Sequence, residues 1–289
     1  GEPMRAAIAP WLDIGLTGVD RFEALLFPAI DEALSVLPSP PGPASRWGIA
    51  LGLPSPRPGL ADDIGTELTS RLRRHYASVF GTSAVFAAGH AAGLLGLQAA
   101  CAKLAQGALD VCVVAGVDSW LEPETLEWLE QCNQLHGAGP LNNAWGFIPG
   151  EAGAALLLVG ESAARAMGLQ PLAAVLGVGS AHEPKRIKTE TVCIGEGLTE
   201  AFSATLATLR AGSKVTDIYC DMNGEPYRAD EFGFTALRTK EHFESASDFV
   251  APADCFGDVS AAGGPLHLML ACVAEQKGYA NGSLAFAWA

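Results

Sequence analysis

The stretch from residue 81 to residue 116 constrains the fold most, because it alternates between strand, helix and strand. A short strand, Val85–Ala88, is predicted to lead into a helix that is rich in small residues and begins at His90. The apolar strand Asp110–Gly116 follows that helix. Strands that are apolar along their whole length are typical of sheets covered on both faces. The stretch therefore predicts a layered α/β fold.

The same alternation continues along the rest of the chain. Further strands are predicted at Trp47–Leu53, Ala152–Val159, Ala173–Gly177, Ile218–Met222 and Leu284–Trp288. Helical periodicity predicts helices at Asp20–Leu37, Ala61–Phe80, Glu122–Gln134, Glu161–Met167, Thr199–Arg210, Arg228–Lys240 and Pro265–Lys277. Two segments rich in proline or glycine, Pro38–Pro43 and Gly137–Pro140, mark a helix end and a loop. With 289 residues and 49% apolar composition, the chain can bury a large core.

Composition excludes several classes of function. The chain carries 18 basic and 32 acidic residues, a net charge of −14, and no basic stripe that could neutralise phosphates. We therefore expect no nucleic-acid partner. The longest apolar runs are much shorter than the roughly 18 to 20 residues of a membrane span, so no membrane partner is expected. The seven cysteines lack paired or metal-ligand spacing and are interpreted as reduced core thiols of a cytoplasmic protein without metal or cofactor.

Other polar groups receive structural interpretations. Two basic clusters are predicted to be solvated surface, namely Arg71, Arg73, Arg74 and His75, and Lys185, Arg186 and Lys188. The carboxylates of Glu225, Asp230 and Glu231 are interpreted as a solvated turn, because no histidine or cysteine stands at metal spacing from them. Four further histidines are interpreted as isolated surface or packing residues: His136, His182, His242 and His267.

Three segments resemble the β-ketoacyl synthase branch of the thiolase-fold condensing enzymes. They are Phe86-Ala-Ala-Gly-His90, Val111-Cys-Val-Val-Ala-Gly116, and the run from Gly146 to Val159 that contains Gly150-Glu-Ala-Gly153. The resemblance implies a thiolase-like layered α/β/α/β/α fold. It implies two similar halves, residues 1–172 and 173–289, with the first trimmed at its N-terminus. It also implies a dimer formed by antiparallel pairing of the strand Ser83–Ala88.

The resemblance further implies where a catalytic site would lie. In this family a nucleophilic cysteine begins the helix at the position of His90, where the helix dipole stabilises its thiolate. Two histidines that act on the malonyl unit correspond to Asn223 and Asp258, and a lysine corresponds to Ala253. The glycine-rich loop of the oxyanion hole has no counterpart before the last strand. If the fold is kept, His90, Asn223 and Asp258 converge on one pocket, and His90 and Asp258 are neighbours.

Two hypotheses about function follow from these positions. The first is a catalytically degenerate ketosynthase-like protein of fatty acid or polyketide biosynthesis that acts by binding. It would be a partner subunit of a β-ketoacyl synthase, or an accessory or adaptor protein, for example in type VI secretion. Its partner would be a second copy, a ketosynthase-like subunit or a secretion-system subunit, with acyl carrier protein as a further candidate. The alternative is an acyltransferase, β-ketoacyl synthase-like enzyme or thioesterase that uses a rebuilt His90/Asp258 site.

Overall fold

A computed structural model describes residues 3–37, 46–137, 142–186 and 189–289. The helices in these ranges are α1 Gly18–Leu34, α2 Ile64–His75, α3 Ala92–Ala105, α4 Pro123–Gln131, α5 Glu161–Met167, α6 Glu196–Leu206, α7 Pro226–Thr239, α8 Ala253–Phe256 and α9 Gly263–Lys277. The strands are β1 Trp47–Leu53, β2 Thr82–Ala87, β3 Val111–Ser119, β4 Glu151–Val159, β5 Asp217–Cys220 and β6 Ala285–Trp288. Three segments with sequence-based interpretations lie outside the described residues: Pro38–Pro43, Lys188, and the part of Gly137–Pro140 after its first glycine.

The larger sheet has the strand order β2-β1-β3-β4. Strands β2, β1 and β3 are parallel, and β4 pairs antiparallel with β3 along its whole length. Every residue of β1 and β3 is buried. Ile49 and Leu51 pack on the α1–α2 side of the sheet, whereas the intervening Ala50 packs against α3. The sheet is therefore covered by helices on both faces, as its continuously apolar strands predict.

A smaller sheet in the second part of the chain pairs β5 in parallel with β6. An aromatic core covers it, in which Phe202 of α6 packs against Phe286 and Phe232 of α7 stacks on Trp288. Helix α9 contacts β4, β5, β6 and α3, and so joins the two sheets. The result is a mixed, layered α/β fold.

A buried ion pair fastens α1 to the start of β4. The Arg21 guanidinium donates to both carboxylate oxygens of Glu151, at 2.6 and 2.7 Å. The same carboxylate accepts hydrogen bonds from the Ala9 amide and the Ser119 hydroxyl, both at 2.8 Å. Burial raises the pKa of Glu151, but the Arg21 hydrogen bond and the other donors outweigh it and lower the pKa below its ordinary value. Glu151 is therefore held as a carboxylate.

The predicted strand at Ala173–Gly177 is wrong. The structure has no strand there, and residues 171–180 make no backbone-to-backbone hydrogen bond with any described residue. Leu172, Val175 and Leu176 are exposed, and the following residues run along α6, where a Cβ at Gly179 would lie 2.3 Å from the carbonyl oxygen of Ala201. An apolar composition predicted a buried strand, but this backbone packs on a helix instead of on a neighbouring strand.

Other differences are smaller. Helices α2 and α4 end five and three residues before their predicted ends at Phe80 and Gln134, because short hydrogen-bonded turns follow both helices.

The cysteine thiols were predicted to be buried, but those of Cys132 and Cys255 are exposed, while all seven are free. Within the described residues, no helix is long and apolar enough to cross a bilayer.

Helix α3 packs against α9 at a position that admits no side chain. A Cβ added at Gly93 would lie 2.3 Å from Cδ of Pro265. We predict that Gly93→Leu destabilises the fold by about 1–3 kcal/mol through overpacking. Gly233 of α7 has open space around it, so Gly233→Leu should stabilise by up to about 1 kcal/mol through helix propensity. Denaturant unfolding of both variants measures the contrast, and equal effects would contradict the assigned packing.

Candidate functional site

His90 lies at the turn that connects β2 to α3. Gly89 has a φ of 56°, a conformation that favours glycine, and it redirects the chain after β2. Residues Gly89–Ala91 form one turn of 3-10 helix that leads directly into α3. The imidazole of His90 is 24% exposed. The sequence-predicted helix start is therefore at the expected place, with a histidine side chain directed into the interior.

Asp258 lies on the segment between α8 and α9, which is fastened to the residues before β4. Its amide donates to the Ile148 carbonyl at 2.8 Å, and its carbonyl accepts from the Gly150 amide at 2.9 Å. Gly257, with a φ of 73°, permits the turn into this position. The Asp258 side chain is only 3% exposed. Backbone hydrogen bonds thus fix the carboxylate inside the protein.

The structure brings His90, Asn223 and Asp258 together. Nε2 of His90 lies 2.9 and 2.8 Å from the two carboxylate oxygens of Asp258. Asn223 donates to Oδ2 of Asp258 at 2.7 Å through its side-chain amide. The expected adjacency of these residues, which are far apart in the sequence, is therefore present. A catalytic role for them stays a prediction.

Two further donors, which the sequence did not reveal, complete the surroundings of the Asp258 carboxylate. The Ser260 amide donates to Oδ1 at 2.8 Å, and the indole N–H of Trp120 lies 3.4 Å from the same oxygen. Burial raises the pKa of Asp258, but the charge of His90, the hydrogen bond from its ring and the charge of Arg228 outweigh burial. They lower the pKa well below its ordinary value of 3.8. The site therefore holds a buried carboxylate anion.

Arg228 is the main residue of the site that sequence reasoning missed. Its guanidinium is buried on α7, forms an ion pair with Asp221 through Nη1, and places Nη2 3.1 Å from Nε2 of His90. Burial lowers the pKa of Arg228, but Asp221 and other neighbouring charges raise it further, so the group stays a cation. The available signal was a lone arginine at the start of a predicted helix, close in sequence to Asp221 and Glu225.

The neighbours of His90 determine how its ring can bond. A guanidinium only donates hydrogen bonds and a carboxylate only accepts them. Nε2 therefore donates to Asp258 when it carries a proton and accepts from Arg228 when it does not. The contact with Asp258 is shorter and involves both oxygens, which favours a proton on Nε2.

The cavity beside His90 is very small, about 10 Å³. That volume is about enough for one water molecule. Its walls include His90, Asp221, Ala253 and His267. His267 of α9 is a buried packing residue, one of the two roles predicted for it, and lines this cavity; burial lowers its pKa and favours the neutral ring. Ala253, at the expected lysine position, supplies only a methyl group.

The solvated-turn interpretation of the nearby carboxylates is also wrong. Glu225 is buried just before α7, where it accepts hydrogen bonds from Asn223 and Tyr227. Asp230 and Glu231 lie within α7, not on a turn. The helix predicted at Arg228–Lys240 already included Asp230 and Glu231, and the structure begins that helix two residues earlier, at Pro226.

In the basic cluster near the end of α2, Arg73, Arg74 and His75 are exposed, as predicted. Arg71 is instead half-buried and forms ion pairs with Asp20, Glu23 and Glu67.

The described part of the chain holds one group of residues arranged closely enough to bind a metal ion. Glu183, Cys193 and Glu231 place their potential ligand atoms within 4.8 Å of one another. None of the three lines the His90 cavity.

Comparison with known proteins supports the fold. Residues 75–164 match the family model described as "Beta-ketoacyl synthase, N-terminal domain". These residues run from the end of α2 through β2, α3, β3 and β4, and they include His90. A search of curated proteins found no match.

Several solved ketosynthase structures are similar to this chain. The AntDE:AntF complex, a type II polyketide synthase acyl carrier protein with its ketosynthase bound to the hexaketide, matches with a TM-score of 0.71 at 16% identity, over 87% of this chain and 72% of that chain. The module 6 ketosynthase of the bacillaene synthase from Bacillus subtilis matches with a TM-score of 0.70 at 18% identity. The match covers 94% of this chain and 48% of that chain. The oxazolomycin ketosynthase domain OzmH KS8 from Streptomyces albus matches with a TM-score of 0.65 at 19% identity. The match covers 94% of this chain and 72% of that chain.

These similarities show the fold of the chain. It is a mixed α/β fold of the ketosynthase, thiolase-like type, as the resemblance predicted. The chain spans less than half the length of the bacillaene ketosynthase chain and about 72% of the other two. At 16–19% identity, the matches carry no conclusion about activity.

The lowered pKa of Asp258 predicts a specific acid sensitivity. A carboxyl group whose pKa is lower in the folded than in the unfolded protein stabilises the fold above its unfolded pKa and loses that contribution as pH falls. We expect the free energy of unfolding to decline below about pH 4. In Asp258→Asn, the decline should be shallower. Denaturant unfolding at a series of pH values from neutral to acid measures this decline. Asp254→Asn, which changes an exposed carboxylate, is the control. A decline in Asp258→Asn as steep as that of the wild type would refute the lowered pKa of Asp258.

Proposed function

We propose that this chain is a ketosynthase-like protein that has lost condensing chemistry and acts by binding another protein. One observation carries the proposal. At the start of α3, where the resemblance places a nucleophilic thiol, the chain has His90, whose ring nitrogen is bonded to the buried Asp258 carboxylate. An imidazole held in this way is no substitute for a thiolate that must carry an acyl chain through a condensation.

The surrounding residues support the same conclusion. Asn223 can donate through its amide but cannot act as an acid or base. A carboxylate at position 258 repels the carboxylate of a malonyl unit. The methyl group of Ala253 provides no charge, and a cavity of about 10 Å³ leaves no room for a pantetheine arm.

The binding role has several candidate partners. The chain would serve as a partner subunit of a β-ketoacyl synthase, or as an accessory or adaptor protein, for example in type VI secretion. The outer strand β2 has an exposed face and could pair antiparallel with a second copy or with a ketosynthase-like subunit. Acyl carrier protein is a further candidate, since the similar AntDE:AntF structure contains such a carrier bound to its ketosynthase. We also propose a cytoplasmic location and two thiolase-like halves, residues 1–172 and 173–289.

The first test is for condensation. Incubation with malonyl and acyl carrier protein substrates should give no β-ketoacyl product above a control without protein, measured by mass spectrometry of the carrier. A known ketosynthase serves as positive control. Product formation that disappears in His90→Ala would overturn the proposal.

A second test identifies the kind of partner. The tagged chain is purified from its native host, and the co-purifying proteins are identified by mass spectrometry. A ketosynthase or carrier protein would support a role in biosynthesis, whereas a secretion component would support an adaptor. A variant with Val85→Asp on the exposed face of β2 should lose a partner that pairs with this strand.

The partial exposure of His90 favours one alternative. Asp258 could orient the imidazole as a general base for acyl transfer or thioester hydrolysis, in a rebuilt acyltransferase, synthase-like or thioesterase site. Hydrolysis of acyl thioesters is the direct assay. Activity that is lost in both His90→Gln and Asp258→Asn, but not in Asp254→Asn, would establish this alternative over the binding role.

A further inference from the structure

The Asp258 carboxylate is surrounded by hydrogen-bond donors on both oxygens. Oδ1 accepts from the Ser260 amide at 2.8 Å and faces the Trp120 indole N–H at 3.4 Å. Oδ2 accepts from the Asn223 amide at 2.7 Å. His90 Nε2 lies within 2.9 Å of both oxygens. The four donors come from four separate parts of the chain and meet at one planar, three-atom group.

The charges nearby also favour an anion at this point. Buried Arg228 contacts the same ring nitrogen of His90 and contributes a positive charge close to Asp258. The Ser260 amide and the Trp120 indole have Asp258 as their hydrogen-bond acceptor. Such groups lose their partner when the carboxylate is removed, and buried donors without partners are unfavourable.

We propose that His90, Asn223, Trp120 and the Ser260 amide form a carboxylate-binding site whose resident ligand is the side chain of Asp258. The site takes a small monocarboxylate when that side chain is removed. The inference rests on the proposed function, in which these groups perform no condensation and hold one anion permanently. In the wild type the chain's own carboxylate occupies these donors, so an external carboxylate should not bind there.

The arrangement selects the class of ligand. A carboxylate places two oxygens on the two sets of donors, whereas a halide offers a single centre and reaches only part of them. Tetrahedral anions such as sulfate exceed the space that an aspartate carboxylate leaves, since the adjoining cavity measures only about 10 Å³. Formate has the size of the group removed in Asp258→Ala, and acetate has the size of the group removed in Asp258→Gly.

The experiment is a rescue of stability in these two variants. Both should melt at lower temperature than the wild type. Formate should raise the melting temperature of Asp258→Ala by about 2 °C at a few times its dissociation constant. Acetate should be the more effective of the two with Asp258→Gly. Isothermal titration with sodium formate measures a one-to-one complex with Asp258→Ala.

Matched controls separate a site from a general salt effect. Sodium chloride and sodium sulfate at the same ionic strength should give no comparable shift, and formate should leave the wild type unchanged. Asp254→Ala, which removes an exposed carboxylate from the same segment, should not respond to formate. Formate should raise the melting temperature of the double variant Asp258→Ala, Asn223→Leu less than that of Asp258→Ala alone. Equal shifts with chloride, or in Asp254→Ala, would overturn the proposal.

If Asp258→Ala does not fold, the measurement becomes the yield of folded protein after refolding in formate, compared with refolding in chloride. Asp258→Ser provides a second variant for the same measurement. An absence of formate-specific recovery in both variants would also overturn the proposal. None of these measurements uses a condensation assay. Rescue without condensation supports both proposals, whereas condensation by the wild type refutes the proposed function alone.

Discussion

The close approach of two backbone segments determines much of this structure. A Cβ at Gly116 of β3 would lie 2.1 Å from the carbonyl oxygen of Ala261, so the turn before α9 rests directly on the central strand. A Cβ at Gly150 would likewise lie 2.4 Å from the carbonyl oxygen of Phe256. These contacts bring the Asp258 segment to the turn that carries His90. The meeting of the two side chains thus depends on glycines that leave room for backbone.

Buried ion pairs lie close to the contact between His90 and Asp258. The Arg57 guanidinium pairs with the buried Asp118 at 2.6 Å and lies 3.9 Å above the Trp120 ring, whose N–H faces Asp258. Arg228, whose Nη2 contacts Nε2 of His90, forms another buried pair with Asp221. Buried ion pairs add little net stability relative to apolar replacements, but removing one partner costs about 3–5 kcal/mol. Each of these buried charges therefore depends on its partner, because a buried charge that loses its partner is left uncompensated.

The fold was predictable from the sequence where apolar periodicity matched burial. β1 and β4 start and end within one residue of prediction, and α5 matches fully, because glycine, proline or charged residues bound these segments. The segment Ala173–Gly177 has the composition of a buried strand yet lies exposed, since composition does not reveal whether a neighbouring strand is present. At the site, the order of motifs predicted that His90, Asn223 and Asp258 meet. Arg228 and Trp120 gave no such signal, because their roles arise from a fold that joins distant segments.

The tight backbone contacts also affect how genetic data on this chain should be interpreted. In a saturation mutagenesis screen scored by protein abundance, strong intolerance should fall on glycines such as Gly116 and Gly150, where even alanine collides with main-chain carbonyls. His90, with part of its ring open to solvent, should accept more replacements. Sensitivity in such a screen would therefore identify the contact between the larger sheet and the segment that leads into α9, which is part of the scaffold and not of the chemistry.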